Sequence, residues 1–98
     1  MSLPVVVRPE ADDDIFAARA WYDGQSPGLG ARFAARLAAA IDRIGDAPEL
    51  YGEVGRGVRA APVARFPYVV YYRPYAERVE VLAVLHGRRD PAAWQDRT

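Results

Sequence analysis

The stretch of sequence that decides the fold reads Val79-Glu80-Val81-Leu82-Ala83-Val84-Leu85-His86-Gly87-Arg88-Arg89-Asp90-Pro91-Ala92-Ala93-Trp94. Residues 79–86 are the most strand-like run in the chain, because aliphatic and β-branched residues dominate them. Gly87 and Asp90-Pro91 then end the run, as turn-forming residues do. The sequence predicts a buried strand that delivers His86, the only histidine, to its end, with two arginines directly after it.

Two further strand-like runs precede this one and extend the predicted sheet. Residues 68–73 combine aromatic and β-branched side chains, and the turn-like segment 74–77 joins them to the last strand as a hairpin. Residues 58–63 form another candidate strand, which Pro62 limits to an edge or a strand end. Strict alternation predicts that Tyr68, Val70 and Tyr72 share one face of their strand. In the last strand it predicts two opposite faces, one with Val79, Val81, Ala83 and Leu85 and the other with Glu80, Leu82, Val84 and His86.

The first half of the chain predicts a strand and two helices. Val5–Val7 lies between prolines and reads as a short strand, and Pro9 with the acids after it opens a helix that the turn 24–28 ends. A second helix, from about Leu29 to Ile44, has a continuous apolar stripe, and residues 46–57 read as a loop. The resulting order is β-α-α-β-β-β, an α+β fold in which a helical hairpin packs on a small, mainly antiparallel sheet.

Length and composition place the chain among single-domain globular proteins. Its 98 residues leave no room for a second core, so we expect one domain over 1–98. No apolar run approaches the roughly 20 residues that a membrane helix needs, and the first residues do not resemble a signal peptide, so we expect no membrane contact and a cytoplasmic location. Near the other end, residues 92–94 predict one helical turn whose Trp94 covers a sheet edge, with loosely held residues beyond it.

Charge is distributed unevenly although the net charge is zero. Residues 1–55 carry five arginines and nine acids, a balance of −4, and residues 56–98 carry eight arginines and four acids, a balance of +4. The split fits either a basic surface for an anionic partner or mutual attraction of the two halves. All the basic residues are arginine, which excludes a lysine base, a lysine Schiff base and a Walker-type phosphate lysine.

Several familiar kinds of site are absent from the sequence. The two serines lie at a terminus and in a turn, so a Ser-His-Asp triad is hard to build. One histidine and no cysteine leave no metal-binding spacing, and we expect no metal. The Gly28-Leu29-Gly30 segment follows no strand and lacks the third glycine of a dinucleotide site, and we expect no cofactor.

What remains is a group of arginines and tyrosines around His86. Arginine beside tyrosine on an open sheet face suits RNA, because the guanidinium pairs with phosphate and the ring stacks on a base, and a histidine could move a proton during cleavage. Taken singly, each residue is more often structural, and Asp90 can pair with an arginine in a capping turn. The members are Arg56, Arg59, Arg65, Arg73, Arg88, Arg89, Tyr68, Tyr71, Tyr72, Tyr75 and His86.

The chain resembles the RelE/ParE superfamily of toxins from bacterial type II toxin–antitoxin modules, often labelled plasmid stabilisation proteins. The resemblance covers about Val5 to Trp94, and its segments, in the family's order, are Ala20-Trp21-Tyr22, Ser26-Pro27-Gly28-Leu29-Gly30-Ala31-Arg32-Phe33, Pro48-Glu49-Leu50, Val58-Arg59, Arg65-Phe66-Pro67-Tyr68, Tyr71-Tyr72-Arg73 and Val84-Leu85-His86-Gly87-Arg88-Arg89-Asp90-Pro91. It implies the fold given above and a growth-inhibiting toxin whose antitoxin folds a disordered tail on it.

The superfamily splits by target, and the split sets three alternatives. The absence of lysine and the Trp-Tyr and Pro-Gly-Leu-Gly segments resemble the ParE side, which implies inhibition of DNA gyrase without catalysis. A RelE-like ribosome-dependent mRNA endonuclease, acting through Arg59, Arg65, His86 and Arg88, is the second alternative. The third is a non-toxic family member that only binds an antitoxin. We expect contact with the target or partner from Arg59, Arg65, Tyr68, Tyr72, Arg73, Arg88 and Arg89.

Overall fold

The computed structural model describes residues 2–98, which form five strands and three helices. The helical hairpin consists of α1 (Pro9–Gln25) and α2 (Leu29–Asp46), so α2 runs past the predicted end at Ile44. A short helix, α3 (Ala92–Gln95), lies near the end of the chain, where one helical turn was predicted. The strands are β1 (Val5–Val7), β2 (Glu53–Gly55), β3 (Val58–Pro62), β4 (Tyr68–Pro74) and β5 (Val79–His86).

The strands form one mixed sheet in the order β1-β5-β4-β3-β2. β1 runs parallel to β5, and the other three pairs are antiparallel, so the predicted α+β fold with a mainly antiparallel sheet is confirmed with one parallel pair. The predicted order lacked β2, because residues 46–57 were read as a loop throughout. Gly55, Arg56 and Gly57 all have positive φ and make the tight turn that lets β2 pair with β3.

The helices cover one face of the sheet and bury the larger core. Tyr22 of α1 and Phe33 of α2 stack with ring centroids 5.3 Å apart, and Tyr68 and Phe66 meet both rings edge-on. Tyr68, Val70 and Tyr72 of β4 all belong to this side, which confirms the predicted alternation in that strand. These aromatic contacts fix the position of the helical hairpin over the end of β4.

The alternation predicted for β5 is wrong beyond Val81. The register between β4 and β5 shifts at Tyr71/Tyr72, so Val81 lies opposite Tyr72 while Ala83 lies opposite Tyr71. This bulge places Leu82 and Ala83 on the same face, away from the helices, and returns Val84 to the helix side with Val81. His86 lies opposite Tyr68 as a result of the same shift.

The second face of the sheet is covered by the end of the chain. Trp94 is only 4% exposed and packs on Val58, Leu82 and Leu85, and its ring stacks on Tyr71 at 5.4 Å. Trp94 therefore covers the face of the sheet rather than its edge. The residues after it are not loosely held, because Arg97 donates hydrogen bonds to Asp14 and to the carbonyl of Leu82.

None of the helices within residues 2–98 is both long and apolar enough to cross a membrane.

Candidate functional site

The end of β5 carries His86 against Tyr68 of the neighbouring strand. The two rings meet edge-on with centroids 5.7 Å apart. The backbone N–H of Gly87 donates to the carbonyl of Pro67 at 2.8 Å, which ties the turn after β5 to the turn before β4. Of the residues grouped with His86 in the sequence, Tyr68 is thus brought beside it by strand pairing.

A cleft of about 280 Å³ opens beside this pair and is lined by Trp21, Tyr22, Pro67, Tyr68 and His86. We call it the aromatic cleft. Trp21 is 58% exposed, which is unusual for so large an apolar ring. Burial raises the pKa of Tyr22, and the neighbouring Tyr68 raises it further, so Tyr22 stays neutral and acts as a wall of the cleft.

His86 is oriented by the turn that follows it. Its Nδ1 accepts a hydrogen bond from the backbone N–H of Arg88 at 3.1 Å, and its carbonyl accepts one from the N–H of Arg89 at 2.9 Å. An Nδ1 that accepts a hydrogen bond carries no proton, so the neutral ring carries its proton on Nε2. Nε2 is the ring atom left to contact another molecule.

Arg88 and Arg89 extend from this turn into solvent. Both residues are exposed, and the ion pairs among residues 2–98 involve other arginines. Asp90 does not pair with either of them, because its Oδ1 accepts a hydrogen bond from the N–H of Ala92 at the start of α3. Two unpaired guanidinium groups therefore follow shortly after His86, which lines the aromatic cleft, in the sequence.

Arg59 and Tyr72 hold the loop between α2 and β2. Arg59 donates to the carbonyl of Tyr51 at 2.6 Å, and the Tyr72 hydroxyl donates to the carbonyl of Pro48 at 2.7 Å. Tyr72 is completely buried; burial raises the pKa of its hydroxyl, and nearby Arg59 partly opposes that rise. These contacts occupy both side chains and leave Tyr72 without a surface for a partner.

Arg73 lies on the face of the sheet away from the helices. Its Nε and Nη2 donate to the carbonyl of Arg56 at 3.2 and 2.7 Å, so it braces the turn between β2 and β3. Arg56 in turn donates to the carbonyl of Gln95 and the hydroxyl of Thr98. Both arginines stabilise the packing of the last residues on this face.

Arg65 lies in the turn between β3 and β4 and faces α2. With Phe66 it lines a concave surface of about 550 Å³ whose other wall is α2, including Arg32 and Arg36. The predicted group around His86 is therefore divided among the β5 end, the loop after α2, the face under α3, this groove, and the β4–β5 turn, where Arg78 lies 4.5 Å over the ring of Tyr75. Among residues 2–98, no three His, Asp or Glu side chains gather as a metal site would require.

Sequence reasoning did not include Trp21, Arg32 and Arg36 among the candidate site residues. Trp21 flanks the apolar stripe of α1 instead of lying in it, and that position was a usable signal of exposure. Arg32 and Arg36 lie one turn apart, which places both on one side of α2. Only the structure brings Arg65, distant in the sequence, opposite them.

The family described as "ParE toxin of type II toxin-antitoxin system, parDE" matches residues 5–91, nearly the whole chain. The chain belongs to the ParE toxin family. As a ParE-family protein it is 30% identical over 83 residues to Toxin ParE2 of Mycobacterium tuberculosis, covering 84% of this chain and 79% of that protein. It is likewise 30% identical over 89 residues to Toxin RelE1 of Caulobacter vibrioides, covering 89% of this chain and 96% of that one.

A solved structure has the same fold. The chain superposes on a structure titled "Chromosomal ParDE TA system from P. aeruginosa" with a TM-score of 0.76, covering 87% of this chain and 96% of that chain at 16% identity. The resemblance to the RelE/ParE superfamily on its ParE side is thus confirmed, and this ParE-family chain is a toxin of a type II toxin–antitoxin system. A cognate antitoxin is its expected partner.

Proposed function

We propose that this toxin blocks DNA gyrase by direct protein–protein contact, without catalysing a reaction, and that its antitoxin neutralises it in the cytoplasm. The observation that carries the proposal is the dispersal of the basic residues. The guanidinium groups of Arg59 and Arg73 donate hydrogen bonds to backbone carbonyls, and Tyr72 is buried. A ribonuclease would need several such groups converging on one phosphate.

The contact surface we propose is the aromatic cleft together with Arg88 and Arg89. Exposed tryptophan, tyrosine and arginine are the residues that most often dominate binding at protein interfaces. Trp21 offers a large exposed ring, and the two arginines are free of intramolecular carboxylates. Tyr68 and His86, held edge-on, give the cleft a fixed shape for a partner side chain.

The test is a supercoiling assay with purified gyrase and the purified chain. We expect the chain to inhibit supercoiling, and we expect Trp21→Ala and the pair Arg88→Glu with Arg89→Glu each to weaken inhibition at least about tenfold, as loss of a central interface contact does. Arg19→Glu, an exposed arginine of α1 outside the cleft, is the matched control and should inhibit like the wild type. Supercoiling that persists at excess toxin would refute gyrase as the target.

A second candidate is a ribosome-dependent mRNA endonuclease. It is favoured by the free Nε2 of His86 beside an open cleft, and by the likeness to a relative named Toxin RelE1. In this reading His86 transfers a proton, and Arg88 stabilises the charge that develops on the phosphate. His86→Gln should then abolish translation arrest. Induction in cells, with DNA damage response and protein synthesis followed in parallel, separates the two targets.

A further inference from the structure

The outward side of α1 carries two large aromatic side chains that nothing in the fold covers. Phe16 is 78% exposed and Trp21 is 58% exposed, although phenylalanine and tryptophan are among the residues that folding most often buries. Such a side chain contributes about 150–250 Å² when it is buried, so the two exposed fractions leave roughly 200–350 Å² of aromatic surface in solvent. Exposed apolar surface on this scale, bordered by polar residues, marks interaction sites.

Two alanines lie between these rings around the helix axis. Successive residues of an α-helix are about 100° apart, which places Ala17 and Ala20 between Phe16 and Trp21 on the solvent side. Both alanines are exposed. We call these four residues the α1 face. Its small centre lets the axis of a second helix come within about 8–10 Å, with the two rings closing the contact on either side.

The beginning of α1 gives this face an acidic end. Glu10 and Asp13 are exposed, and both fall on the same side of the helix as Ala17. The carboxylates in ion pairs among residues 2–98 belong to Asp14 and Glu80. The negative charges of Glu10 and Asp13 therefore remain available to a guanidinium group of another molecule.

The other end of the α1 face is basic. Trp21 and His86 line the same cleft, and the exposed Arg88 and Arg89 follow His86 in the turn after β5. Neither arginine belongs to the ion pairs found among residues 2–98. The surface thus runs from unpaired carboxylates, across apolar rings, to unpaired guanidinium groups.

A surface that is acidic at one end and basic at the other is complementary to a second copy of itself. A two-fold axis turns the second helix antiparallel, so that each acidic end meets a basic end and each Phe16 lies beside the partner's Trp21. An acidic peptide, a nucleic acid or an anionic membrane would be attracted to the basic end alone and repelled by the acidic end. We propose that two copies of this chain associate through their α1 faces as a symmetric homodimer, with Asp13 of each chain near Arg88 and Arg89 of the other.

The size of the contact sets its strength. Two α1 faces contribute roughly 400–700 Å² from their aromatic rings, and with the flanking charged residues the total stays at the lower end of specific interfaces. We therefore expect a dimer that forms and dissociates with concentration. Since the contact covers Trp21, Arg88 and Arg89, the dimer also hides the surface proposed for gyrase; this consequence, unlike the dimer itself, rests on the proposed function.

Sedimentation velocity of the purified chain, from micromolar to near-millimolar concentration, tests the dimer. The mass of the wild type should rise from that of one chain to that of two. Phe16→Ser and Asp13→Arg should each weaken association at least about tenfold, because the two-fold axis places every substitution in the contact twice. Asp42→Arg, which changes an exposed carboxylate of α2 in the same way, is the matched control and should associate like the wild type. A wild type that stays monomeric at every concentration would overturn the proposal.

An exchange of charges separates this contact from a general loss of folding. Asp13→Arg alone places arginine against arginine, and Arg88→Glu with Arg89→Glu alone places acid against acid, so each protein should be monomeric where the wild type is dimeric. In an equimolar mixture the two variants form a heterodimer in which both ends are again opposite in charge, and its association should return to within about threefold of the wild type. Circular dichroism of each variant establishes that the fold is intact. A mixture that remains monomeric would refute the antiparallel arrangement.

The dimer and the gyrase proposal can fail separately. Sedimentation involves no gyrase, and Phe16 lies outside the aromatic cleft. If both proposals hold, Phe16→Ser should inhibit supercoiling at least as strongly as the wild type, since more of it is monomeric. A chain that dimerises as described and leaves gyrase active would refute the proposed target while supporting the contact between α1 faces.

Discussion

Asp14 of α1 and Arg97, 83 residues later, form a bidentate ion pair that closes the open edge of β5. The Nη1–Oδ2 and Nη2–Oδ1 distances are 2.6 and 3.1 Å. Because β1 pairs only with residues 79–81 of β5, the later residues of β5 have no strand on the side away from β4. The N–H of Val84 instead donates to Asp14, and the carbonyl of Leu82 accepts from Arg97. Two side chains thus take the place of a longer β1 and protect the edge.

Arg97→Ala should destabilise the fold by about 2–3 kcal/mol, because it leaves a largely buried carboxylate and a strand carbonyl without their partner. The Asp14 side chain is only 13% exposed. Urea unfolding followed by circular dichroism measures the change, and Arg89→Ala, an exposed arginine outside the ion pairs, is the control and should shift stability by less than about 0.5 kcal/mol. Equal stability of Arg97→Ala and the wild type would show that the pair contributes nothing.

The parts of the fold that depend on local pattern could be predicted from the sequence. Residue types and periodicity located both long helices and four of the five strands, and alternation placed Tyr68, Val70 and Tyr72 on one face, which the helices cover. The bulge in β5 was not predicted, because nothing in an unbroken apolar run marks where the extra residue lies. The ion pair of Arg97 was not predicted, because the packing of α1 on β5 brings its partner Asp14 into place and no local sequence pattern indicates that packing.

The candidate site could be predicted only in part for a related reason. Strand pairing brings Tyr68, a member of the predicted group, to His86, but whether an arginine is free depends on which backbone carbonyls lie near it. The sequence does not distinguish Arg59 and Arg73 from Arg65 and Arg88. In the structure, the side chains of Arg59 and Arg73 donate hydrogen bonds to backbone carbonyls. The charge difference between the halves was equally uninformative, since Arg32 and Arg36 from the acidic half meet Arg65 from the basic half.

Gly30→Ala should separate the helical hairpin and destabilise the fold by about 1–3 kcal/mol, as overpacking does. A Cβ atom at this position would lie 2.6 Å from the carbonyl oxygen of Arg19 and 2.6 Å from Cγ of Asp23. It would also disturb the 2.8 Å hydrogen bond from the N–H of Gly30 to Asp23. Thermal unfolding measures the loss. Gly24→Ala, in α1 with no atom within 4 Å of the new Cβ, is the control and should be stabilising by about 0.5 kcal/mol.

Glu80 should make stability depend on pH in acid. Hydrogen bonds from Arg78 and then Arg8 lower the pKa of its carboxyl group below the usual value. A lowered folded-state pKa means that the stabilisation is fully present above the unfolded value of about 4.3 and is lost as the pH falls through the folded value. The difference in free energy of unfolding between the wild type and Glu80→Gln should therefore be largest at neutral pH and shrink in acid. Urea titrations at a series of pH values test this, and a constant difference would contradict it.

Arg65→Gly should raise the stability of the fold. Glycine adopts the left-handed φ of 69° without the steric cost that arginine bears, so we expect a gain of about 0.5–1 kcal/mol in unfolding experiments. Arg65→Ala removes the same guanidinium but keeps the strain, so it should be less stable than Arg65→Gly. Arg56→Gly should gain nothing, because it forfeits the hydrogen bonds to Gln95 and Thr98. Equal stability of Arg65→Gly and Arg65→Ala would show that the left-handed φ carries no cost at this position.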